Sequence, residues 1–94
     1  MPPAFEPARA WRLSPSVALR DERFGALAYH YGTRQLSFLK APALVEVVRG
    51  LAEAPSAGAA LDRAAIAPGE RGAFEAALAR LAATGMIVPA EDAA

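Results

Sequence analysis

Two hydrophobic rhythms divide the chain. Up to about residue 40 the apolar positions alternate; beyond it they recur every three or four residues. In the first part Val17 and Leu19 share one side of an extended chain, and Leu36 and Phe38 share one side of another. Between them Leu27, Tyr29 and Tyr31 lie on one side and Phe24, Ala26 and Ala28 on the other. Successive side chains of a strand point to opposite faces, so this period of two predicts strands. The middle segment, Phe24 to Tyr31, is apolar on both faces, which fits a central strand covered on both sides. Ser14-Pro15-Ser16 and Asp21-Glu22-Arg23 read as connections, and Tyr31-Gly32-Thr33 as a hairpin loop in which Gly32 is free to take positive φ. Arg34 to Lys40 is then the third strand of an antiparallel meander, with Phe38 counted among the large core side chains beside Trp11, Phe24 and Phe74.

In the second part Leu44, Val45, Val47, Val48 and Leu51 form a helical stripe after Pro42, a residue suited to a first helical turn. Ala54-Pro55 closes that helix and Ser56 is the N-cap of the next, near Ala57 to Ala65. A break at Ala67-Pro68-Gly69-Glu70 precedes a third helix running to about Thr84, with Phe74, Ala77, Leu78 and Leu81 as its buried stripe. Gly85 is the expected left-handed cap residue, and Met86-Ile87-Val88 a short extended segment stopped by Pro89. The fold class is therefore α+β: a three-stranded antiparallel meander followed by a three-helix bundle, an arrangement related to a winged helix. One domain spans residues 11–89. Residues 1–10, with three prolines, read as a disordered or extended arm, and 90–94 as a short flexible tail.

Composition narrows what this domain does. Ten Lys and Arg balance ten Asp and Glu. A nucleic-acid reader carries a basic footprint, and none exists here. The same balance argues against an anionic membrane surface as main partner, and no apolar run reaches the ~20 residues that span a bilayer. With no secretory h-region either, the cytoplasm is the expected compartment. The absence of cysteine removes disulfides, thiolate chemistry and most structural zinc sites. His30, the one histidine, lacks a second histidine or a cysteine to complete a metal site or nucleophilic pair, and reads as a structural residue near a hairpin. No phosphate-binding glycine loop occurs. The chain is expected to be no enzyme and to hold no cofactor.

Three binding readings survive, one of them a bare interaction domain docked on another enzyme. The second and third helices could form a helix-turn-helix of a winged-helix DNA regulator, but the third helix offers only Arg71 and Arg80 against Glu70 and Glu75. The strand Arg34 to Lys40 is last in the meander and so lies at an edge, where unpaired backbone groups either need protection or serve as a template for an added strand. Such an edge also permits contact between copies, giving a monomer or weak dimer.

The segment FGALAYHYGTRQLSFLK, residues 24–40, and the closing GMIVP, residues 85–89, resemble the precursor-peptide chaperones of mycofactocin biosynthesis, members of the RiPP recognition element group. The resemblance spans about residues 11–89. It implies the fold of the small chaperone of pyrroloquinoline quinone biosynthesis. It also implies a module that binds a ribosomally made precursor peptide and delivers it to a radical-SAM maturase, the partner that carries the iron–sulfur clusters. In related recognition elements the leader docks as a strand beside the third strand and third helix. Carried here, that implies peptide contacts from Arg34, Gln35, Leu36, Ser37, Phe38, Leu39 and Lys40 on the strand side. On the helix side it implies Arg71, Phe74, Glu75 and Leu78.

Overall fold

The computed structural model describes residues 3–90. Five strands and three helices follow in the order β1 (Trp11–Leu13), β2 (Val17–Glu22), β3 (Gly25–His30), β4 (Leu36–Leu39), α1 (Pro42–Gly50), α2 (Ala57–Arg63), α3 (Pro68–Ala83) and β5 (Ile87–Pro89), with a 3-10 turn at Leu51–Glu53 after α1. β2, β3 and β4 form the antiparallel meander in that order. The α+β class and the sheet-then-helices order are as expected from the periodicities.

The closing segment does more than extend. β5 pairs antiparallel with β1, setting Trp11 opposite Pro89 and Leu13 opposite Ile87, in a second, two-stranded sheet. α3 leads into it through a Schellman turn. Gly85, at φ +75°, donates its N–H to Ala82 (3.1 Å), and Met86 donates to Leu81 (2.8 Å). Ser14, nearly buried, joins the two sheets: its N–H donates to the Met86 carbonyl (2.9 Å) and its Oγ accepts from the Ser16 N–H (3.1 Å).

The core is built from Trp11, Leu51, Leu61, Leu78, Met86 and Ile87, all fully enclosed. Trp11 satisfies its indole N–H on the Glu6 carbonyl (3.0 Å) and meets the Phe5 ring at 5.3 Å. The segment read as an arm is thus engaged from Phe5 onward. It also accepts from the start of α2, whose Ala57 and Gly58 N–H groups donate to the Arg9 and Pro7 carbonyls. Ser56 caps the same helix as expected, accepting from Ala59 (3.0 Å). Of the tail, only Ala90 lies within the described residues, and its N–H donates to Ala10 (3.0 Å).

Several local expectations are corrected. β2 runs through Asp21 and Glu22, and the connection is the two-residue turn Arg23-Phe24, which leaves Phe24 exposed. In the β3–β4 loop the positive φ falls on Arg34 (62°) and not on Gly32. Gly25 is the residue that requires glycine in the sheet: at φ +149° a Cβ there would stand 2.0 Å from the Leu39 carbonyl oxygen. β4 is shorter than residues 34–40 and its facing is inverted. Leu39 is buried, while Leu36 and Phe38, 55% and 59% exposed, point away from the core. The reason is α1. It packs its Leu44, Val45 and Val48 on the sheet face that holds Val17, Ala26, Ala28 and Leu39, and the opposite face has no cover among the described residues. α2 stops at Arg63, because Ala65 takes a left-handed φ of 57°.

Candidate functional site

β4 ends the meander, and no strand pairs its outer edge among the described residues. Which backbone groups are free follows from the register. His30 donates to the Gln35 carbonyl (2.9 Å), which marks the position at which hydrogen-bonded pairs fall in the ladder. Such pairs alternate along an antiparallel ladder. With Ala28 opposite Ser37 and Ala26 opposite Leu39, residues 37 and 39 turn their N–H and C=O to β3, as Gln35 does its C=O, while the Gln35 N–H donates to the Thr33 hydroxyl (3.3 Å). Leu36 and Phe38 therefore present theirs to the open edge.

Beside that edge runs a groove of about 590 Å³. Leu36, Ser37, Phe38 and Lys40 form one wall, Ala41 and Leu44 the floor, and α3 the other wall. On α3 the lining residues are Ala73, Phe74, Ala77, Arg80, Leu81 and Thr84, which recur at three- and four-residue intervals and so share one stripe. Phe74 is the only large apolar side chain near the start of that stripe. Ala73 and Ala77 are too short to reach β4, and the space they leave is the groove. The next stripe round the helix, Leu78 and Ala82, is buried in the core and fixes α3 in place.

Of the residues singled out from the sequence, Leu36, Ser37, Phe38, Lys40 and Phe74 line this groove. Arg34 and Gln35 lie in the β3–β4 loop, whose turn is closed by the Arg34 N–H donating to the His30 carbonyl (2.7 Å). His30 holds the same loop through its ring: Nδ1 accepts from the N–H groups of Gly32 (3.0 Å) and Thr33 (3.2 Å). That is the structural role anticipated for it. Leu39 turns its side chain inward. Leu78 is wholly enclosed, so its side chain cannot meet a ligand. Arg71 and Glu75 do not line the groove. Arg71 pairs with Asp62 and Glu75 and donates to the Gly58 carbonyl (3.1 Å), tying α3 to α2. The hydrogen bond to Asp62 is the chief reason its guanidinium is held even more firmly in the charged form than usual. Arg71 and Glu75 thus lie about a third of a turn round α3 from the stripe that lines the groove. Reading from Phe74 in steps of three and four toward Ala77, Leu81 and Thr84 would have found it. Ala73 and Ala41 carry no sequence signal of their own; the periodicity places Leu44 in the core stripe of α1, and Arg80 stands out only as a cation of the third helix.

No group of three or more metal-ligating side chains gathers among the described residues, and no helix among them is long and apolar enough to cross a membrane. The site offers shape, apolar surface and backbone donors and acceptors.

Comparison with known proteins matches residues 10–88 to the sequence model of one family, described as the peptide chaperone MftB family. Curated relatives named peptide chaperone MftB are 48% identical in Mycobacterium ulcerans, over 94% of this chain and 81% of the relative, and 48% identical in Mycolicibacterium smegmatis, over 90% and 83%. A third, from Mycobacterium tuberculosis, is 46% identical over 90% of this chain and 78% of its own length. No solved structure gives a significant match.

Proposed function

The chain belongs to the MftB peptide chaperone family, a non-catalytic family, and from that premise we propose how it handles its peptide. It works as a winged-helix-like recognition element. A ribosomally made precursor of mycofactocin biosynthesis lies extended along β4 as an added strand, and the complex presents it to a radical-SAM maturase in the cytoplasm.

The observation that carries this reading is the free backbone of Leu36 and Phe38 directly beside an apolar groove. Strand addition uses main-chain hydrogen bonds for affinity and alternate side-chain pockets for selection. A strand paired to Leu36 and Phe38 would send every second side chain toward Phe74, Ala77 and Leu81 and the intervening ones toward the open sheet face. Delivery follows from proximity. A peptide held on a chaperone that also touches the maturase meets the active site at an effective concentration near the millimolar range.

Calorimetric titration with a synthetic mycofactocin-type precursor tests this, with a scrambled peptide as control. One-to-one saturation by the true sequence alone is expected, and the maturase should capture the complex in the same experiment. Equal binding of the scrambled peptide, or none of either with the maturase present, would defeat the reading.

A further inference from the structure

We infer that the groove is a cation-flanked site selective for an extended peptide that carries carboxylates next to its apolar residues. This deepens the proposed function and rests on it.

The chain as a whole is neutral. Several of its cations are locally neutralised: Arg20 by Glu22 (2.7 Å), Arg49 by Asp21 (2.9 Å) and Arg71 by Asp62 and Glu75. Lys40 and Arg80 are not. They line the groove from opposite walls, both are exposed, and neither makes an ion pair or side-chain hydrogen bond among the described residues. Arg34 is equally unpaired at the far end of β4. No acidic side chain lines the groove. An overall neutral protein thus presents a locally positive cleft.

Geometry then says which peptide positions feel which charge. Lys40 continues the row of Leu36 and Phe38, so it lies beside the peptide side chains that face the open sheet surface. Arg80 and Thr84 stand on the α3 wall, beside the side chains that enter the groove. A peptide with carboxylates in both rows, near one end of an apolar stretch, satisfies both cations. A basic or neutral peptide satisfies neither. Rim charges of this kind raise the association rate and set selectivity more than they raise affinity.

The same charges disfavour the other self-evident occupant, a second copy of the chain. A two-fold β4–β4 pairing centred on Ser37 would match Leu36 with Phe38 of the other copy, yet bring Arg34 toward Lys40 at both ends. Like charges directly opposite in a ladder are destabilising.

The test uses the full chain and two synthetic probes: the precursor peptide, and the same peptide with every Glu and Asp replaced by Gln or Asn. The expected result is that the precursor carries carboxylates in its bound segment and that the amide version binds about tenfold or more weakly. Precursor affinity should also fall steadily between about 50 and about 500 mM salt. The double variant K40Q/R80Q, both changes at exposed positions, should keep its circular dichroism spectrum, lose a similar factor for the precursor and lose most of the salt dependence. Equal affinity of the two peptides, salt-independent binding or an unaffected double variant overturns the charge selectivity while leaving strand addition standing. Failure of both peptides to bind overturns the groove reading and this one with it. A concentration-dependent dimer in sedimentation, dispersed by F38E and not by the peptide, would assign the edge to a second copy instead.

Discussion

Two neighbouring residues of β4 make opposite demands on the same strand, and exchanging each for alanine separates core from binding surface. Leu39 is 1% exposed, pressed between α1 and β3. Leu39→Ala removes its transfer energy and leaves a cavity, a loss of about 3 kcal/mol in a range of roughly 2–5. Phe38 is 59% exposed and meets Phe24 ring to ring at 5.9 Å. A phenylalanine can bury about 200 Å², so less than half of that, about 80 Å² at ~25 cal/mol per Å², caps the loss on Phe38→Ala near 2 kcal/mol. The unfolded chain already covers part of that area and no cavity forms, which brings the figure to about 1 kcal/mol. At about 4–8 °C per kcal/mol for a domain of this size, scanning calorimetry should show Leu39→Ala melting roughly 12–24 °C lower and Phe38→Ala roughly 4–8 °C lower. Peptide titration well below both midpoints should show the reverse order, with Phe38→Ala the weaker binder. A larger stability loss for Phe38→Ala than for Leu39→Ala would refute the facing of β4, and with it the placement of the groove.

Other expectations concern backbone and scaffold. Gly25→Ala adds a Cβ where only 2.0 Å separates it from the Leu39 oxygen. Overpacking and positive-φ strain, roughly 1–3 kcal/mol each, should leave it largely unfolded in a denaturant series, and a native midpoint would disprove that approach. Leu36→Pro removes an outward N–H at the first residue of an edge strand, a tolerated place for proline; it should fold and bind peptide less well, whereas Leu39→Pro breaks an inward ladder bond and should melt the sheet. Arg71→Met should lower the melting temperature by loosening α2 from α3 yet leave peptide affinity unchanged, and a clear affinity loss would return Arg71 to the binding surface. His30→Ala removes the acceptor for two loop N–H groups, should cost about 1 kcal/mol, and should speed hydrogen exchange at Gly32 and Thr33.

What the amino-acid sequence determined by itself was local. Alternation fixed the strands, three- and four-residue spacing fixed the helices, and Pro42, Ser56 and Gly85 marked helix ends because their backbone chemistry suits those positions whatever surrounds them. The FGALAYHYGTRQLSFLK segment pointed to a peptide-binding family, and β4 was legible as an edge from strand order alone. The tertiary structure decided everything that depends on which face meets which. β4 is amphipathic in an ambiguous way, with Leu36 and Phe38 on one side and Leu39 on the other. The choice fell to α1, which could press closely only on the face where Ala26 and Ala28 keep the sheet low. The pairing of β1 with β5 joins residues far apart in the chain, and no local pattern encodes it. On α3 periodicity places Phe74, Ala77 and Leu81 in one buried stripe with Leu78, and only the position of β4 leaves a groove over the first three while Leu78 stays in the core. Cores are written in large apolar residues and can be read one segment at a time. A groove is the space left where two segments fail to fill each other, and only their relative placement reveals it.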